Sequence, residues 1–460
     1  MILKHERKLS RNGIVLFFSH KSMYNNFRIG DYMKGVKLNN HKELSANSFT
    51  IYNKPKYIYI PLMVGNNTDI TVLVKKDDYV CKGETIAHSK GSMSIPLHSP
   101  VSGTVIGFEE KLSHNATMVK CIVIENDFKE RVESKPELQE NISNYSKEEF
   151  IEMIKNAGII GMGGAGFPTY VKYQTNNIKT LVVNAVECEP YITADYALGI
   201  QKSEQILEAI DAILEIHKIE KAIITVKKNN TKLIHALQKR IGTYVKIKIV
   251  TVPNRYPMGW ERLLIEQVTG KTYDRLPIEV GVIVNNLSTI YAIYEALKTR
   301  KPLIERVITI TGDMLKHPTN VLVKIGTSAH EVIEAIGGMK RNKDIICVAG
   351  GPMMGVTLPS DEVIITADMN ALVILKEREE ETEKTCMRCG KCVQVCPARI
   401  APVLIKDACG EKESLKTLNV NRCCECGLCS YICPAKIKVR EYVRKAKETL
   451  RKDDLSERIS

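Results

Sequence analysis

Residues 386–397 read CMRCGKCVQVCP, and residues 423–434 read CCECGLCSYICP. Both stretches contain the spacing C-x2-C-x2-C-x3-C-P, in which three cysteines share one short loop and a fourth precedes a proline. The fourth cysteine begins a helix that leads away from its own loop, so its thiol is directed toward the other copy. The repeat therefore predicts a C-terminal unit built from two matching halves.

This spacing is the one found in bacterial two-cluster ferredoxins. The eight ligands of two [4Fe–4S] clusters are then Cys386, Cys389, Cys392 and Cys433 for one cluster, and Cys423, Cys426, Cys429 and Cys396 for the other. Cys424 lies off the spacing and is predicted to be a bystander. Zinc knuckles and disulfides are the alternatives, but zinc sites rarely carry a third cysteine at this spacing. The pattern predicts a chain that carries electrons.

The composition is that of an ordinary globular protein of several domains. The chain has 460 residues, of which 26% are charged and 44% hydrophobic, and this length predicts about two to four domains. No run of about 18 apolar residues occurs, so we expect no transmembrane helix. The apolar patch at residues 13–18 is too short for a signal peptide core. The cysteines outside the repeat are scattered, as in proteins of the reducing cytoplasm.

The formal net charge of +13 does not indicate a nucleic-acid partner. Lysine and arginine are scattered along the chain, and no basic, aromatic-interleaved patch or nucleic-acid module is present. We therefore expect no nucleic acid and instead acidic partners, such as nucleotide phosphates, acidic ferredoxins or an anionic membrane surface.

The N-terminal third contains a predicted lead-in and a small β module. Residues 1–48 are polar and weakly patterned, and we expect a partly ordered lead-in. Residues 49–125 contain short β runs separated by glycine and proline, which is typical of a small barrel or sandwich. Their sequence resembles that of a biotinyl/lipoyl-type barrel-sandwich domain. The predicted hairpin tip at residues 91–95, however, lacks the lysine that would carry the biotinyl or lipoyl group. A structural module is therefore predicted, followed by a charged linker at 126–144.

A glycine-rich loop opens the next unit, residues 145–300. Ser146 and Glu149 form a capping box that begins a helix over 147–156, and residues 161–169 then read GMGGAGFPT. A helix rather than a strand precedes these glycines, which excludes a standard dinucleotide-binding fold. Four glycines in six positions still allow backbone N–H groups to approach a flat ring or a phosphate closely.

Alternating strands and helices predict a doubly wound, mostly parallel sheet for this unit. Predicted strands are 180–184, 222–226, 244–252 and 281–285, and predicted helices are 203–217, 231–241, 261–268 and 288–298. Ligands of such sheets bind at the carboxyl ends of the strands. Polar clusters follow two of them, with Asn184, Glu187 and Glu189 after one strand and Asn285, Asn286 and Ser288 after another. Each of these side chains alone can simply cap a helix, but two clusters and the glycine loop favour a shared pocket.

Residues 301–376 have the pattern of a ubiquitin-like α+β module of the soluble-ligand-binding β-grasp type. An acidic stretch at 377–384 then leads into the cysteine-rich domain, residues 385–451, which is predicted to be a two-cluster, ferredoxin-like helical domain. The predicted fold class is thus multidomain α/β: barrel-sandwich, α/β domain, ubiquitin-like module and cluster domain.

With these motifs the chain resembles the C subunit of the Rnf electron-transport complex, from about residue 48 to the last helix. The resemblance depends on residues 161–169, 187–191, 256–257 with 261, 285–286, 350–355 and the two cysteine stretches. The middle domain is also similar to the flavin-bearing, NADH-oxidising subunit of respiratory complex I. There a G-x-G-G-A-G-F-P-T loop, a following lysine, an E-x-E-P segment and an Asn-Asn pair surround FMN and NADH.

Carried over by position, the resemblance implies FMN and NAD(H) contacts for ten residues: Gly161, Gly163, Gly164, Gly166, Lys172, Asn184, Glu187, Glu189, Asn285 and Asn286. Phe167, which can stack on a nucleotide ring, and Ser288 complete the predicted set. Three features depart from the relatives: Met162 stands where arginine is usual, Tyr191 where glycine is usual, and the family's Gly-x-His-Pro opening is not visible around residues 34–37.

The resemblance implies a peripheral, cytoplasmic-side subunit of a membrane complex that couples ferredoxin–NAD exchange to ion pumping. NAD(H) exchanges a hydride with FMN, and electrons pass singly through the two clusters, so no side chain is assigned as a catalytic acid or base. The expected partners are membrane subunits and a ferredoxin-type carrier or subunit. The alternatives are a flavin-dependent cobalamin reductase of a metabolosome and a non-catalytic electron-wiring module.

Overall fold

The computed structural model describes residues 35–459, except 66, 134–137, 342–343, 378 and 380. Residues 1–34 of the predicted lead-in therefore lie outside the described part. Within that part the backbone forms four β-sheets and a helical C-terminal region. None of the described helices has the length and apolar character needed to cross a membrane.

Residues 35–48, called the strap below, are the described part of the predicted lead-in and contact the α/β domain. Backbone hydrogen bonds in both directions join Val36 to Tyr256, each 2.9 Å long. The Asn40 carbonyl accepts from the Tyr191 N–H at 2.7 Å, and the His41 ring stacks on the Tyr191 ring at 4.7 Å between centroids. The strap binds the α/β domain mainly through backbone and polar groups. Its sequence therefore shows no regular spacing of apolar residues. It leads into strand β1 (Phe49–Tyr52).

Two small antiparallel sheets form the barrel-sandwich, with the orders β2-β8-β7-β4 and β3-β5-β6. The strands are β2 (Tyr57–Pro61), β3 (Ile70–Val72), β4 (Tyr79–Val80), β5 (Thr85–Ser89), β6 (Pro96–His98), β7 (Gly103–Leu112) and β8 (Met118–Asn126). Side chains alternate along a strand, so Ile58 and Ile60 of β2 point inward opposite Ile124 and Ile122 of β8. The tip of the module packs against the next domain, where the Tyr170 hydroxyl donates to the Ser92 carbonyl at 3.3 Å.

A parallel four-stranded sheet of order β11-β10-β9-β12 forms the α/β domain, as predicted. Its elements are α1 (Lys147–Asn156), α2 (Thr169–Tyr173), β9 (Thr180–Ala185), α3 (Ala194–Gln201), α4 (Ser203–Ile216), β10 (Lys221–Lys227), α5 (Thr231–Gln238), β11 (Ile247–Val252), α6 (Glu261–Thr269), β12 (Val282–Asn286) and α7 (Leu287–Thr299). The predicted capping box at Ser146 is confirmed, whereas α2 and α3 were not predicted.

Strands β9, β10 and β12 of this sheet are buried on both faces, whereas the edge strand β11 is partly exposed. Val183 of β9 packs on one face in the same core as Ile210 of α4 and Ile293 of α7. Val182 packs on the other face with Leu264 of α6. The order of the strands reverses between β9 and β12, and at such a switch point the loops diverge and leave a crevice. The predicted polar clusters follow these two strands.

A mixed six-stranded sheet of order β1-β14-β13-β17-β15-β16 forms the ubiquitin-like module. Its further elements are β13 (Glu305–Thr311), β14 (Thr319–Lys324), α8 (Ala329–Ala335), β15 (Ile345–Ala349), β16 (Val356–Leu358) and β17 (Ala371–Lys376). β1 pairs in parallel with β14, with Phe49 opposite Asn320. Strand β1 thus joins this sheet, although its residues were grouped with the barrel-sandwich, because a strand's own pattern does not specify which sheet it joins.

The C-terminal region consists of α9 (Lys391–Gln394), α10 (Pro402–Asp407), α11 (Lys412–Thr417), α12 (Leu428–Tyr431) and α13 (Val439–Ile459). Its two halves repeat the same backbone conformation. Arg388 and Glu425 both have φ of 55°, and the glycines two residues later have φ of 73° and 76°. In both halves that glycine immediately precedes a short helix, α9 or α12. The predicted two-halved construction is thus present in the backbone.

Candidate functional site

The crevice at the switch point is bordered by two asparagines. Asn184 of β9 and Asn286 of β12 are paired neighbours in the sheet. The Asn184 side chain donates to the Gly259 carbonyl at 3.0 Å and accepts from the Val186 N–H at 3.0 Å. The Asn286 side chain accepts from the N–H groups of Ser288 and Thr289 and so caps α7. The structure therefore brings these two predicted residues together, although both also have structural partners.

The glycine loop lies against this edge of the sheet. The Gly161 N–H donates to the Phe167 carbonyl at 2.8 Å, which closes the loop, and the Met162 N–H donates to the Thr289 hydroxyl at 3.0 Å. Gly164 has φ of +105°, and a Cβ there would meet no atom within 4 Å. A Cβ on Gly163 would lie 3.4 Å from the Asn286 side chain. The loop thus presents bare backbone beside Asn286, and a flat ring or phosphate can approach it closely.

Glu187 and Glu189, called the acidic pair below, point in different directions from the end of β9. The two oxygens of Glu187 accept from the N–H groups of Asp195 and Tyr196 at 2.8 and 3.0 Å, so this carboxylate caps α3. Glu189 reaches the ubiquitin-like module, where its Oε2 accepts from the Met353 N–H at 3.0 Å. The FMN and NAD(H) contacts expected of these two carboxylates stay a prediction.

Two lysines lie close to the acidic pair, and sequence reasoning missed both. Burial raises the pKa of Glu187 and of Glu189 to about 7, and the positive charge of Lys42 opposes that rise. Burial lowers the pKa of Lys227, at the end of β10, to about 8, and the charge of Lys42 lowers it further. The strand-end rule would have found Lys227. Lys42 is in the strap, where no local pattern indicated a function.

Several predicted site residues lie outside the open crevice. Asn285 is 2% exposed and donates to the Tyr173 hydroxyl, because neighbouring residues of a strand point to opposite faces. The Ser288 hydroxyl is buried and donates to Asp195. The Lys172 ammonium donates to the Val284 carbonyl at 2.7 Å, and burial lowers its pKa. Phe167, by contrast, is 38% exposed beside the glycine loop.

Four of the predicted cluster ligands line one cavity. They are Cys396 from the first half and Cys423, Cys426 and Cys429 from the second. Cys424 also lines this cavity and contacts Cys426. Of the other predicted set, Cys386 and Cys433 pack against the hydrophobic core of the domain, and Cys389 is exposed. In the described residues, no three His, Cys, Asp or Glu side chains are arranged to hold a single metal ion.

The second cysteine loop contacts the α/β domain and the ubiquitin-like module directly. The Tyr256 hydroxyl donates to the Cys426 carbonyl at 2.7 Å and lies 3.4 Å from Glu189 Oε1. Arg440 donates to the carbonyls of Met353 and Met354 at 3.1 and 3.0 Å. Tyr256 therefore contacts both Cys426, which lines the four-cysteine cavity, and Glu189 of the acidic pair.

Three family models match the chain. The Nuo51 FMN-binding domain matches residues 154–295, the RnfC barrel sandwich hybrid domain matches residues 30–129, and the SLBB domain matches residues 307–357. These matches agree with the barrel-sandwich, the α/β domain and the ubiquitin-like module of the structure.

Curated relatives extend the match to most of the chain. The C subunit of the Na(+)-translocating ferredoxin:NAD(+) oxidoreductase complex of Acetobacterium woodii is 33% identical over 390 residues, covering 83% of this chain and 88% of the relative. The chain belongs to this family, the C subunits of ion-translocating oxidoreductase complexes. The proton-translocating counterpart of Clostridium ljungdahlii is 34% identical over 381 residues, covering 81% of this chain and 82% of the relative. The C subunit of the Vibrio cholerae complex is 34% identical over 76% of this chain and 46% of its own length.

Membership of this family confirms the predicted family and the oxidoreductase class, and the matching FMN-binding domain confirms the predicted flavin. The other predicted cofactors, NAD(H) and iron–sulfur clusters, agree with this family. A solved NAD+-reducing [NiFe]-hydrogenase in its H2-reduced state is similar with a TM-score of 0.47 and 16% identity, covering 67% of this chain and 61% of that one. A likeness of this degree has no bearing on function.

Proposed function

We propose that this chain handles NAD(H) at the periphery of a membrane ion-translocating ferredoxin–NAD oxidoreductase, on the cytoplasmic side. Electrons pass between NADH, FMN at the switch-point crevice, and two [4Fe–4S] clusters in the C-terminal domain. The membrane subunits of the complex and a ferredoxin-type carrier are its partners. The names of two relatives support this reaction. The proteins of Acetobacterium woodii and Clostridium ljungdahlii are both subunits of ferredoxin:NAD(+) oxidoreductase complexes.

One observation supports the electron path above all others. The cysteine loop that lines the four-cysteine cavity contacts the α/β domain, which contains the crevice. Tyr256 bonds the Cys426 carbonyl at 2.7 Å and is a neighbour of Glu189. Gly427, beside Cys426, packs so closely on the Met353 carbonyl that a Cβ there would lie 2.8 Å from it. In this proposal the cluster of Cys396, Cys423, Cys426 and Cys429 is the one nearer the crevice. The exposure of Cys389 supports a role for the other cluster in exchange with a partner.

The residues of the crevice fit FMN. The glycine loop leaves the space that a Cβ would fill at Gly164, and the side chain of Asn286 lies beside the loop. FMN, when bound, supplies the hydride exchange with NAD(H) and the separation of the electron pair. The chain's own residues bind and orient the cofactor. The glycine loop admits a ring or a phosphate, and Phe167 offers an exposed aromatic face.

The acidic pair supplies specificity in this proposal. A carboxylate can accept two hydrogen bonds from the adjacent hydroxyls of a ribose, and it repels a 2′-phosphate, which favours NADH over NADPH. Glu189 is assigned this role because its Oε1 has only a long contact of 3.4 Å with the Tyr256 hydroxyl, whereas both oxygens of Glu187 accept from backbone N–H groups at 2.8 and 3.0 Å in capping α3.

The test is anaerobic purification of the chain with its cofactors, followed by titration with NADH. We expect one FMN and about eight irons per chain, flavin bleaching on addition of NADH, and then loss of the cluster absorbance. NADPH is expected to act much more weakly. A chain that contains both clusters but no flavin, or whose clusters NADH does not reduce, would contradict the proposal.

A further inference from the structure

A cavity lies between the sheet of the ubiquitin-like module and the helices of the α/β domain. Its volume is about 260 Å³, many times the roughly 10–15 Å³ that one water molecule requires on the same measure. Apolar side chains from the sheet, Phe49 and Leu322, face apolar side chains from the helices, Leu198 and Ala292. Of the predicted cofactor-binding residues only Ser288 lines it, and the proposed electron path does not use it. It is called the interdomain cavity below.

Arg306 lines the interdomain cavity with most of its hydrogen-bonding capacity unused. The residue is 3% exposed. Its Nε donates to the Val307 carbonyl at 3.2 Å, and its Nη1 donates to the Ala367 carbonyl at 2.5 Å. A guanidinium has five N–H donors, so three of them have no acceptor among the described residues. The charges of Asp195 and Asp368 act on Arg306 from nearby, but neither carboxylate bonds it.

The incomplete bonding of Arg306 favours an anion in the cavity. A buried charge is costly unless hydrogen bonds satisfy it, and burial lowers the pKa of this guanidinium to about 10. The oxygens of Asp195 are already engaged with Ser288 and Asn286. An anionic group in the cavity would supply the missing acceptors.

A second cation lines the same cavity. The Lys202 ammonium lies 5.6 Å from the centre of the Tyr291 ring and forms no ion pair with a carboxylate of the described residues. Two carboxylates also line the cavity, Glu295 and Glu305, but both are bonded to Lys301. They are therefore already engaged with another cation, and they leave Lys202 available to a ligand.

We propose that the interdomain cavity binds a small organic anion, with its phosphate or carboxylate group on Arg306 and Lys202. The planar fork of a guanidinium matches both groups, because each offers two oxygens side by side. The remainder of the ligand is a flat apolar body, which the ring of Tyr291 and the side chains of Phe49 and Leu322 cover. Apolar walls with a few placed polar groups are the usual composition of small-molecule pockets.

The site lies directly behind the glycine loop. Met162, within the loop, lines the interdomain cavity, and so does Ser288, whose hydroxyl holds Asp195. Asp195 in turn accepts from the Asn286 side chain at 2.5 Å. An occupant of the interdomain cavity would therefore contact residues that support the crevice without entering it.

The test is calorimetric titration of the flavin-saturated, cluster-loaded chain with phenyl phosphate and with inorganic phosphate under anaerobic conditions. We expect phenyl phosphate to bind about tenfold more tightly than inorganic phosphate, because its ring is buried. Lys202→Gln should weaken binding of phenyl phosphate about tenfold or more. Ala292→Leu should weaken binding by occupying part of the interdomain cavity, with no change in charge. Lys221→Gln, which removes an exposed lysine elsewhere, should bind like the wild type.

Arg306→Gln is the direct variant, but it also removes a bond to the Ala367 carbonyl and can prevent folding. Lys202→Gln and Ala292→Leu decide the question without it. Absence of binding by phenyl phosphate would overturn the proposal, and so would wild-type affinity in both variants. Equal affinity for the two probes would overturn it as well, because the apolar body would then make no contribution.

Discussion

Glu189→Gln removes a buried charge while leaving its hydrogen bonds possible. In the wild type, Oε2 accepts from the Met353 N–H at 3.0 Å, and Oε1 lies 3.4 Å from the Tyr256 hydroxyl. A glutamine can turn its carbonyl oxygen to Met353 and its NH2 group to Tyr256, because a phenol oxygen accepts as well as donates. The variant therefore tests the charge of Glu189 rather than its packing.

The expected magnitude follows from the pKa. Burial raises the pKa of Glu189 from 4.5 to about 7, so the folded state binds this proton more tightly than the unfolded state. The stability of the wild type therefore falls as the pH rises from 4.5 to 7 and stays low above that. At about 1.36 kcal/mol for each pH unit, ionisation costs about 3 kcal/mol of unfolding free energy at high pH. Glutamine avoids this cost, so the variant gains about 2 kcal/mol at pH 6 and about 3 kcal/mol at pH 8.5.

The assay is denaturant unfolding of the anaerobic, cofactor-loaded wild type and Glu189→Gln at these two pH values. The exposed Glu220→Gln controls for the loss of one negative charge. We expect the difference in unfolding free energy between variant and wild type to widen by about 1 kcal/mol from pH 6 to pH 8.5. A gap that stays constant, or a variant less stable than the wild type at pH 8.5, would refute the reasoning.

The same variant measures what the charge contributes to function. Loss of a charged hydrogen bond to the ribose should raise the KM for NADH about tenfold or more while FMN is retained. A variant that is more stable yet binds NADH less well would show that the carboxylate is kept for binding at a cost in stability. An unchanged KM would show that Glu189 serves only to join the domains.

Three further variants test other parts of the site. Cys396→Ser should remove the spectroscopic signal of the cluster of the Cys423–Cys429 loop and leave the other cluster largely intact; selective loss of the other signal would refute the ligand assignment. Gly164→Val, at φ of +105°, should lose FMN but keep both clusters. Gly242→Ala, in a short 3-10 helix where a Cβ meets no atom within 4 Å, is the control. One flavin per chain in the valine variant would mean that the loop serves only the fold. Lys42→Met removes a charge that lowers the pKa of the acidic pair, so the pH below which NADH affinity falls should move upward; an unchanged pH profile would exclude Lys42 from the site.

The sequence predicted most features that depend on the local spacing of cysteines and on the periodic pattern of apolar residues. The cysteine repeat specified two matching halves, and the backbone repeats its conformation at Arg388 and Glu425. Buried strands and amphipathic helices predicted the parallel sheet, because a strand covered on both faces is continuously apolar. The clusters after β9 and β12 were predicted to meet, and the pairing of Asn184 with Asn286 brings those two residues together.

Only the tertiary structure decided which side chains share the crevice and what lies between the domains. The partner of Glu189 is 164 residues away in sequence and that of Tyr256 is 170 residues away, so no local pattern could pair them. The strap was predicted to be a lead-in because its contacts are made by backbone and polar groups, which leave no apolar period. Asn285 was grouped with Asn286, but alternation along β12 sends its side chain to the opposite face. Spacing along a chain determines local conformation, whereas contacts between distant segments depend on how the completed domains pack against each other.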